Sequence, residues 1–220
     1  LKEGMSVDLI CLGDEKTQKR ETLGGLDIVR VPITHRRGGA LSYGYTYSAF
    51  ILISASILAL RSLRRRYDVV YVHNMPDILV LSALVPKALG AKVILDLHDP
   101  MPELMTTIFK FDENSLSVGL MKFLEKWSIA RADSVITVNV ACKRIFASRS
   151  CHNDKIDVVM NAPDGTLFPL RTPHSYLSSD TSAKRLVIMY HGSLVERNGL
   201  DLAVNALAQV RKAVPAAELR

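Results

Sequence analysis

The chain has 220 residues, of which 28 are Lys or Arg and 22 are Asp or Glu, leaving a net charge of +6. With 48% apolar and 23% charged residues its composition is that of an ordinary globular protein, which excludes a disordered tail, a collagen and a disulfide knot. The length suits one large domain, or one domain and part of another.

Short β-branched runs alternate with helical patterns along the chain. Strands are predicted at Ser6–Leu12 and Leu26–Val31, followed by a helix over 45–65. A strand at Asp68–His73 leads into a helix over 76–88, and a strand at Lys92–Leu97 leads into a stiff, proline-bearing loop. Helices over 115–131 and 139–148 flank a strand at Ser134–Val138. A strand at Ile156–Met160 closes this series. The last pair is a strand at Leu186–Tyr190 and a helix over 199–213. Such alternation predicts an α/β fold with a Rossmann-like, doubly wound parallel sheet and helices on both faces. The runs at 69–72 and 93–95 are apolar without alternation, as in strands covered on both sides.

Pro163, Gly165, Pro169, Pro173 and the tract Ser178–Ser182 break this rhythm. Residues 1–160 are therefore expected to form a first domain, 161–184 an interdomain linker, and 185–220 the first βα unit of a second domain. A doubly wound domain normally begins one strand and one phosphate-binding turn earlier, so the first domain is expected to lack its first strand.

The basic surplus is local. Residues 1–66 hold 11 Lys and Arg against 6 Asp and Glu, with Arg36, Arg37, Arg61, Arg64, Arg65 and Arg66 prominent. A solvated helix end, an anionic membrane surface and nucleic acid are the three readings of such a cluster. No aromatic or glycine-rich basic motif accompanies it, so nucleic acid is not the expected partner. No charged residue lies between Gly38 and Leu60, but Ser54, Ser56 and the residues before Ala49 dilute the run. A spanning helix needs about 20 predominantly apolar residues, so this segment reads as a buried core helix starting near Tyr45. Three cysteines without a C-x-x-C pair argue against a disulfide framework and for a reducing compartment. The six histidines are scattered, and no metal site is expected.

Ligands of open parallel sheets bind outside the carboxyl ends of the strands. His98, in the run Asp96-Leu-His-Asp-Pro-Met-Pro-Glu103, falls at such an end, with Asp99 and Glu103 beside it. It either lines a ligand crevice or caps its strand and pairs with Asp99. His73 and Asn74, at the end of the preceding strand, are candidates to line the same crevice. Asp77 follows Pro76 and suits the first turn of a helix. Farther on, Tyr190-His-Gly-Ser-Leu-Val-Glu-Arg-Asn-Gly199 joins a strand to a helix through a glycine turn. Helix N-terminal amides there bind phosphate readily, and Arg197 adds a bidentate cation.

Four blocks together identify a family: DLHDPMPE at 96–103, RADSVITV at 131–138, MNAPD at 160–164 and YHGSLVERNGLDLAV at 190–204. In this order and spacing the chain resembles glycosyltransferase family 4, retaining enzymes of the GT-B fold. The resemblance implies transfer of a sugar from a UDP- or GDP-linked donor, bound between two Rossmann-like domains, to a polysaccharide or lipid-linked acceptor. It implies no cofactor and no metal. It assigns His98 to the donor sugar and reacting centre, Gly192 and Ser193 to the turn beneath the diphosphate, and Arg197 to the basic position beside it. Asn161, in the third block, is a further cleft-lining candidate. The family often has Gly-Arg at 192–193 and Lys-Gly at 198–199, so two phosphate-facing cations are absent here. The family's glycine-rich first turn and its later Glu-x7-Glu motif do not occur in this sequence. The chain alone is therefore expected to be inactive. The expected location is cytoplasmic, peripheral on the inner face of a membrane held through Arg61, Arg64, Arg65 and Arg66. The alternative reading is an α/β module that binds a membrane surface or polyanion without catalysis.

Overall fold

A computed structural model describes residues 4–14, 17–33, 40–169 and 186–220, excepting the side chains of residues 40–43, 108, 109 and 197. Arg36, Arg37 and most of the expected linker lie outside the described residues, as does the side chain of Arg197. The chain divides into two compact units, Leu1–Ala162 and Pro163–Arg220.

The first unit opens with β1 (Val7–Leu12), β2 (Arg20–Leu23) and β3 (Leu26–Val31), arranged as a sheet in the order β1-β3-β2. β1 and β3 are parallel, as expected, whereas β2 runs antiparallel to β3. β2 was not expected, because Arg20-Glu-Thr-Leu has no β-branched run. It is folded back by Gly24 and Gly25, whose φ values of 57° and 87° suit a two-residue hairpin turn closed to most side chains.

The second sheet holds β4 (Val69–His73), β5 (Lys92–Leu97), β6 (Ser134–Thr137) and β7 (Ile156–Val158), all parallel and in chain order. Between them run a 3-10 helix (Asp77–Ala83) with α2 (Leu84–Ala88), then α3 (Met101–Phe109), α4 (Leu116–Arg131) and α5 (Val140–Arg149). This is a Rossmann-like α/β arrangement. Its apolar core includes Leu95, Leu97, Ile129, Val135, Phe146 and Ile156, all fully buried. Side chains start two of the helices. Ser115 Oγ accepts from the Val118 amide at 3.3 Å before α4, and Asn139 Oδ1 accepts from Cys142 at 2.8 Å before α5. Such caps satisfy amides that a helix leaves unpaired.

Three expectations are corrected here. The loop after His98 is the helix α3, with Pro100 at its cap and Pro102 in its first turn. Proline is tolerated there because its missing N–H has no helical partner. β4 is not covered on both sides: its residues alternate buried and exposed, with Val69 and Tyr71 on the open face. Among the described strands it pairs only with β5.

The third correction concerns the apolar helix. α1 (Ala40–Arg64) is long and apolar enough over Gly44–Arg64 to cross a membrane by length and composition, with 28% of that stretch buried. It is not a buried core helix. Ile51, Ser54, Leu58 and Ser62 form its buried stripe, whereas Tyr45, Leu52, Leu60 and Leu63 stand in solvent on the opposite side. The buried serines satisfy themselves by donating to carbonyls one turn back, Ser54 to Phe50 and Ser62 to Leu58 at 2.7 Å. A sequence average cannot see that the small polar residues face inward.

The second unit contains β8 (Val187–Ile188), a 3-10 helix (Glu196–Asn198), α6 (Leu200–Ala213) and β9 (Glu218–Leu219). β8 and β9 pair in parallel, making one βαβ unit. β9 was not expected. β8 is shorter than the predicted strand.

Candidate functional site

The site grows from the register of two parallel strands. His73 of β4 lies opposite Asp96 of β5, and Tyr71 opposite Ile94. Side chains two apart share a strand face, so Tyr71 and His73 project on the same side as Asp96 and His98. Asp96 is buried and its Oδ2 is the meeting point. It accepts from the Tyr71 hydroxyl at 2.5 Å, lies 3.0 Å from His73 Nδ1 and lies 3.1 Å from His98 Nε2. The two imidazole rings lie against each other with centroids 4.3 Å apart and planes tilted by 52°. Partial burial, and then the bond to Asp96, push the Tyr71 phenol up to about 12.

Asn74 fixes the backbone beneath this cluster. Its amide donates to the Asp96 carbonyl at 2.8 Å. Its side-chain oxygen accepts from the His98 amide at 3.0 Å. Its side-chain nitrogen donates to Asp77 Oδ1 at 2.9 Å and to the Asp99 carbonyl at 3.2 Å. One buried side chain therefore ties the ends of β4 and β5 to the 3-10 helix and to the turn that carries His98. Thr137 adds a further tie by donating to the Leu97 carbonyl at 2.6 Å, and the Cys142 thiol lies 3.8 Å from the His98 carbonyl.

Asp77 lies in the first turn of its helix, as expected, but not as a cap. It is buried and gives no cap bond; its Oδ1 instead accepts from Asn74. Burial pushes its carboxyl up to about 6, with the Asn74 bond opposing that shift, Glu125 adding to it and Arg149 opposing it.

Behind the site sits an ion cluster that the sequence did not suggest. Glu125 of α4 has no exposed surface. Arg149 of α5 grips it through Nε at 2.9 Å and Nη2 at 2.6 Å, and Ser150 Oγ donates to the same carboxylate. Arg149 also grips Glu103 of α3 at 2.5 and 2.9 Å. Burial opposes charge on the guanidinium, but the bonds to Glu103 and Glu125 outweigh it and its pKa is raised. Burial likewise opposes charge on Glu103, and its bond to Arg149 brings the net shift down.

The cleft-lining candidates thus separate. His73, Asn74 and His98 come together. Asp99 is exposed and contributes its carbonyl, and the carboxylate beside His98 is Asp96 rather than Asp99. Glu103 is drawn into the Arg149 cluster. Asn161 is exposed beyond β7, a strand two places from β5. The expectation of scattered histidines fails for His73 and His98, whose ligand atoms and that of Asp96 lie within 4.8 Å of one another. The sequence placed His73 and His98 at neighbouring strand ends; it did not single out Asp96 as the carboxylate that both rings meet.

In the second unit, the turn at Gly192–Ser193 is closed by its own side chains. Tyr190 Oη donates to the Ser193 carbonyl at 2.8 Å, and Asn198 Nδ2 donates to both Tyr190 Oη and that carbonyl at 2.8 Å. A Cβ on Gly192 would stand 3.0 Å from Tyr190 Oη, so any larger residue there makes the ring shift by a few tenths of an ångström. Gly199, at φ 63°, starts α6.

Comparison with protein families finds that residues 2–162 match the family described as "Glycosyl transferase 4-like domain". The match ends where the first compact unit ends. No curated protein matches the chain.

Proposed function

This chain belongs to the glycosyl transferase 4-like domain family, and we propose that it is the acceptor-side part of a retaining glycosyltransferase using a nucleotide-sugar donor. The family match carries this reading, and the convergence of His73, Asp96 and His98 at the carboxyl ends of β4 and β5 supports it. His98 orients the donor sugar and the incoming hydroxyl of a polysaccharide or lipid-linked acceptor. Asp96 holds the imidazole, and Asn74 holds the backbone of the turn.

Transfer passes through an oxocarbenium-like state in which charge builds on the leaving diphosphate. Preorganised donors stabilise such charge without reorganisation. In this proposal Gly192, Ser193 and Arg197 supply that function, an assignment that rests on their sequence block. The carboxylate nearest His98, Asp96, is buried and engaged by Tyr71, His73 and His98 rather than presented as a free nucleophile, which favours retention without a covalent intermediate.

The test is His98→Ala in the full-length enzyme, read by nucleotide release from a UDP- or GDP-sugar with acceptor present. Transfer is expected to fall by roughly 100-fold or more, the scale of a lost positioning or acid–base group, with circular dichroism unchanged. Undiminished turnover in this variant would falsify the role given to His98.

A second reading concerns location, and α1 favours it. Tyr45, Leu52, Leu60 and Leu63 form an exposed apolar stripe ending beside the exposed Arg64 and Arg66. We propose that this face rests on the anionic inner surface of a membrane, near a lipid-linked acceptor. Arg61 and Arg65 take less part than expected, because both pair with Asp8 of β1. Each remaining cation contributes about 1 kcal/mol at such a surface. Co-sedimentation with phosphatidylglycerol vesicles is expected to weaken with salt and with Leu52→Asp and Leu60→Asp. Equal binding to uncharged vesicles would remove this reading.

A further inference from the structure

We propose that His73, Asp96 and His98 form a binding site for a borderline divalent transition-metal ion, with Zn2+ as the reference ion. Two imidazoles and one carboxylate on adjacent strand ends are a known donor set for zinc and related metals. The spacing fits. Zinc–nitrogen and zinc–oxygen bonds of about 2.0–2.2 Å place two donors about 3.3 Å apart on a tetrahedral ion and about 3.0 Å apart on an octahedral one. Asp96 Oδ2 stands 3.0 Å from His73 Nδ1 and 3.1 Å from His98 Nε2. All three ligand atoms fall within 4.8 Å of one another.

The surroundings also fit. The Tyr71 hydroxyl donates to Asp96 at 2.5 Å, the kind of outer bond that orients a metal ligand. The His73 side chain is 62% exposed, which leaves an entry path and room for a water or a substrate oxygen as a further ligand. An ionised carboxylate only accepts hydrogen bonds, so in the metal-free state both facing ring nitrogens carry their protons. Metal entry needs each neutral ring to move that proton to its other nitrogen. This is a change of tautomer rather than of charge. An ion held here occupies the lone pair of His98 and withdraws it from substrate. The site therefore behaves as an inhibitory metal site rather than a catalytic centre.

The inhibitory character rests on the role proposed for His98, whereas metal binding itself does not depend on glycosyl transfer, so the test reads binding. ZnCl2 is titrated calorimetrically into the 220-residue chain, and Co2+ serves as an optical probe of the ligand set. One ion per chain is expected, with Co2+ bands of nitrogen and oxygen ligation and no thiolate charge-transfer band. Tyr71→Phe is expected to weaken binding about 10-fold, at the low end for an outer-sphere partner. His73→Ala, at an exposed position, is expected to cost more than that, and His98→Ala likewise. If Asp96→Asn disturbs folding, the two histidine variants decide. Absence of binding overturns the proposal, as does one-to-one binding that survives both histidine substitutions or reports a thiolate ligand.

Discussion

Arg149→Met tests the ion cluster that ties three helices behind the site. Arg149 makes two hydrogen bonds to Glu125 and two to Glu103. The two carboxylates differ in what they lose. The Glu103 side chain is 42% exposed, so water replaces much of its bond, and an exposed pair contributes roughly 0–1 kcal/mol. Glu125 has no exposure and keeps the Ser150 hydroxyl as a hydrogen-bond donor. Removing one member of a buried pair costs about 3–5 kcal/mol, because the other charge stays uncompensated. For a unit of this size, about 2–4 °C per kcal/mol turns that into a loss of roughly 10 °C in melting temperature. Trp127, the single tryptophan, lies in α4 with Arg131 stacked 4.7 Å from its ring. Urea unfolding followed by Trp127 fluorescence therefore reports the first unit. Replacing the pair by Arg149→Met with Glu125→Leu is expected to recover most of the loss, since apolar replacement of a buried ion pair is often neutral. A single-variant loss below about 1 kcal/mol, or no recovery in the double variant, refutes the assignment of a costly buried charge; that threshold is the scale of one ordinary hydrogen bond.

Asp77 carries a pH signature. Its folded-state pKa of about 6 exceeds the ordinary 3.8, so the folded state binds the proton more tightly and the ionised carboxylate costs stability above pH 6. Asp77→Asn is expected to match the wild type near pH 4 and to exceed it increasingly between pH 4 and 6. The plateau gain is on the order of 3 kcal/mol at about 1.4 kcal/mol per pKa unit; equal denaturation curves at pH 7 would contradict this. Asn74→Ala removes four hydrogen bonds in the buried turn only in part, since the backbone bond stays. Leaving Asp77 and the His98 amide unpaired is expected to cost about 2–4 kcal/mol, measured by urea midpoint, and to lower transfer by the intact enzyme. A stability loss under about 0.5 kcal/mol, the scale of a surface substitution, would show that the turn does not depend on Asn74. In the turn after β8, Gly192→Ala is expected to displace Tyr190, seen as altered tyrosine fluorescence, because a Cβ there meets the phenol oxygen at 3.0 Å; an unchanged signal would show that the ring can yield.

Much of the fold was legible because its signals are local. The β-branched runs at 69–72, 93–95 and 134–137 became β4, β5 and β6, and the order of four sequence blocks pointed to the family that the match over 2–162 establishes. The misses also have local causes. Arg20–Leu23 became a strand because Gly24 and Gly25 close a hairpin, and α3 formed because its prolines sit at the start, where they do no harm.

The sequence by itself determined the alternation of strand and helix, the placing of His98 at a strand end, and the family. Only the tertiary structure decided which side chains meet. The parallel register that sets His73 against Asp96 brings two distant histidines onto one carboxylate. The packing of α3, α4 and α5 turns Glu103 away from the cleft candidates and toward Arg149. The burial of Ser54 and Ser62 leaves Leu52, Leu60 and Leu63 of α1 in solvent. Periodicity encodes which residues share a face, because that depends on 3.6 or 2 residues per repeat. It does not encode which face meets which neighbour, because that is settled by pairing register and packing between segments far apart in the chain.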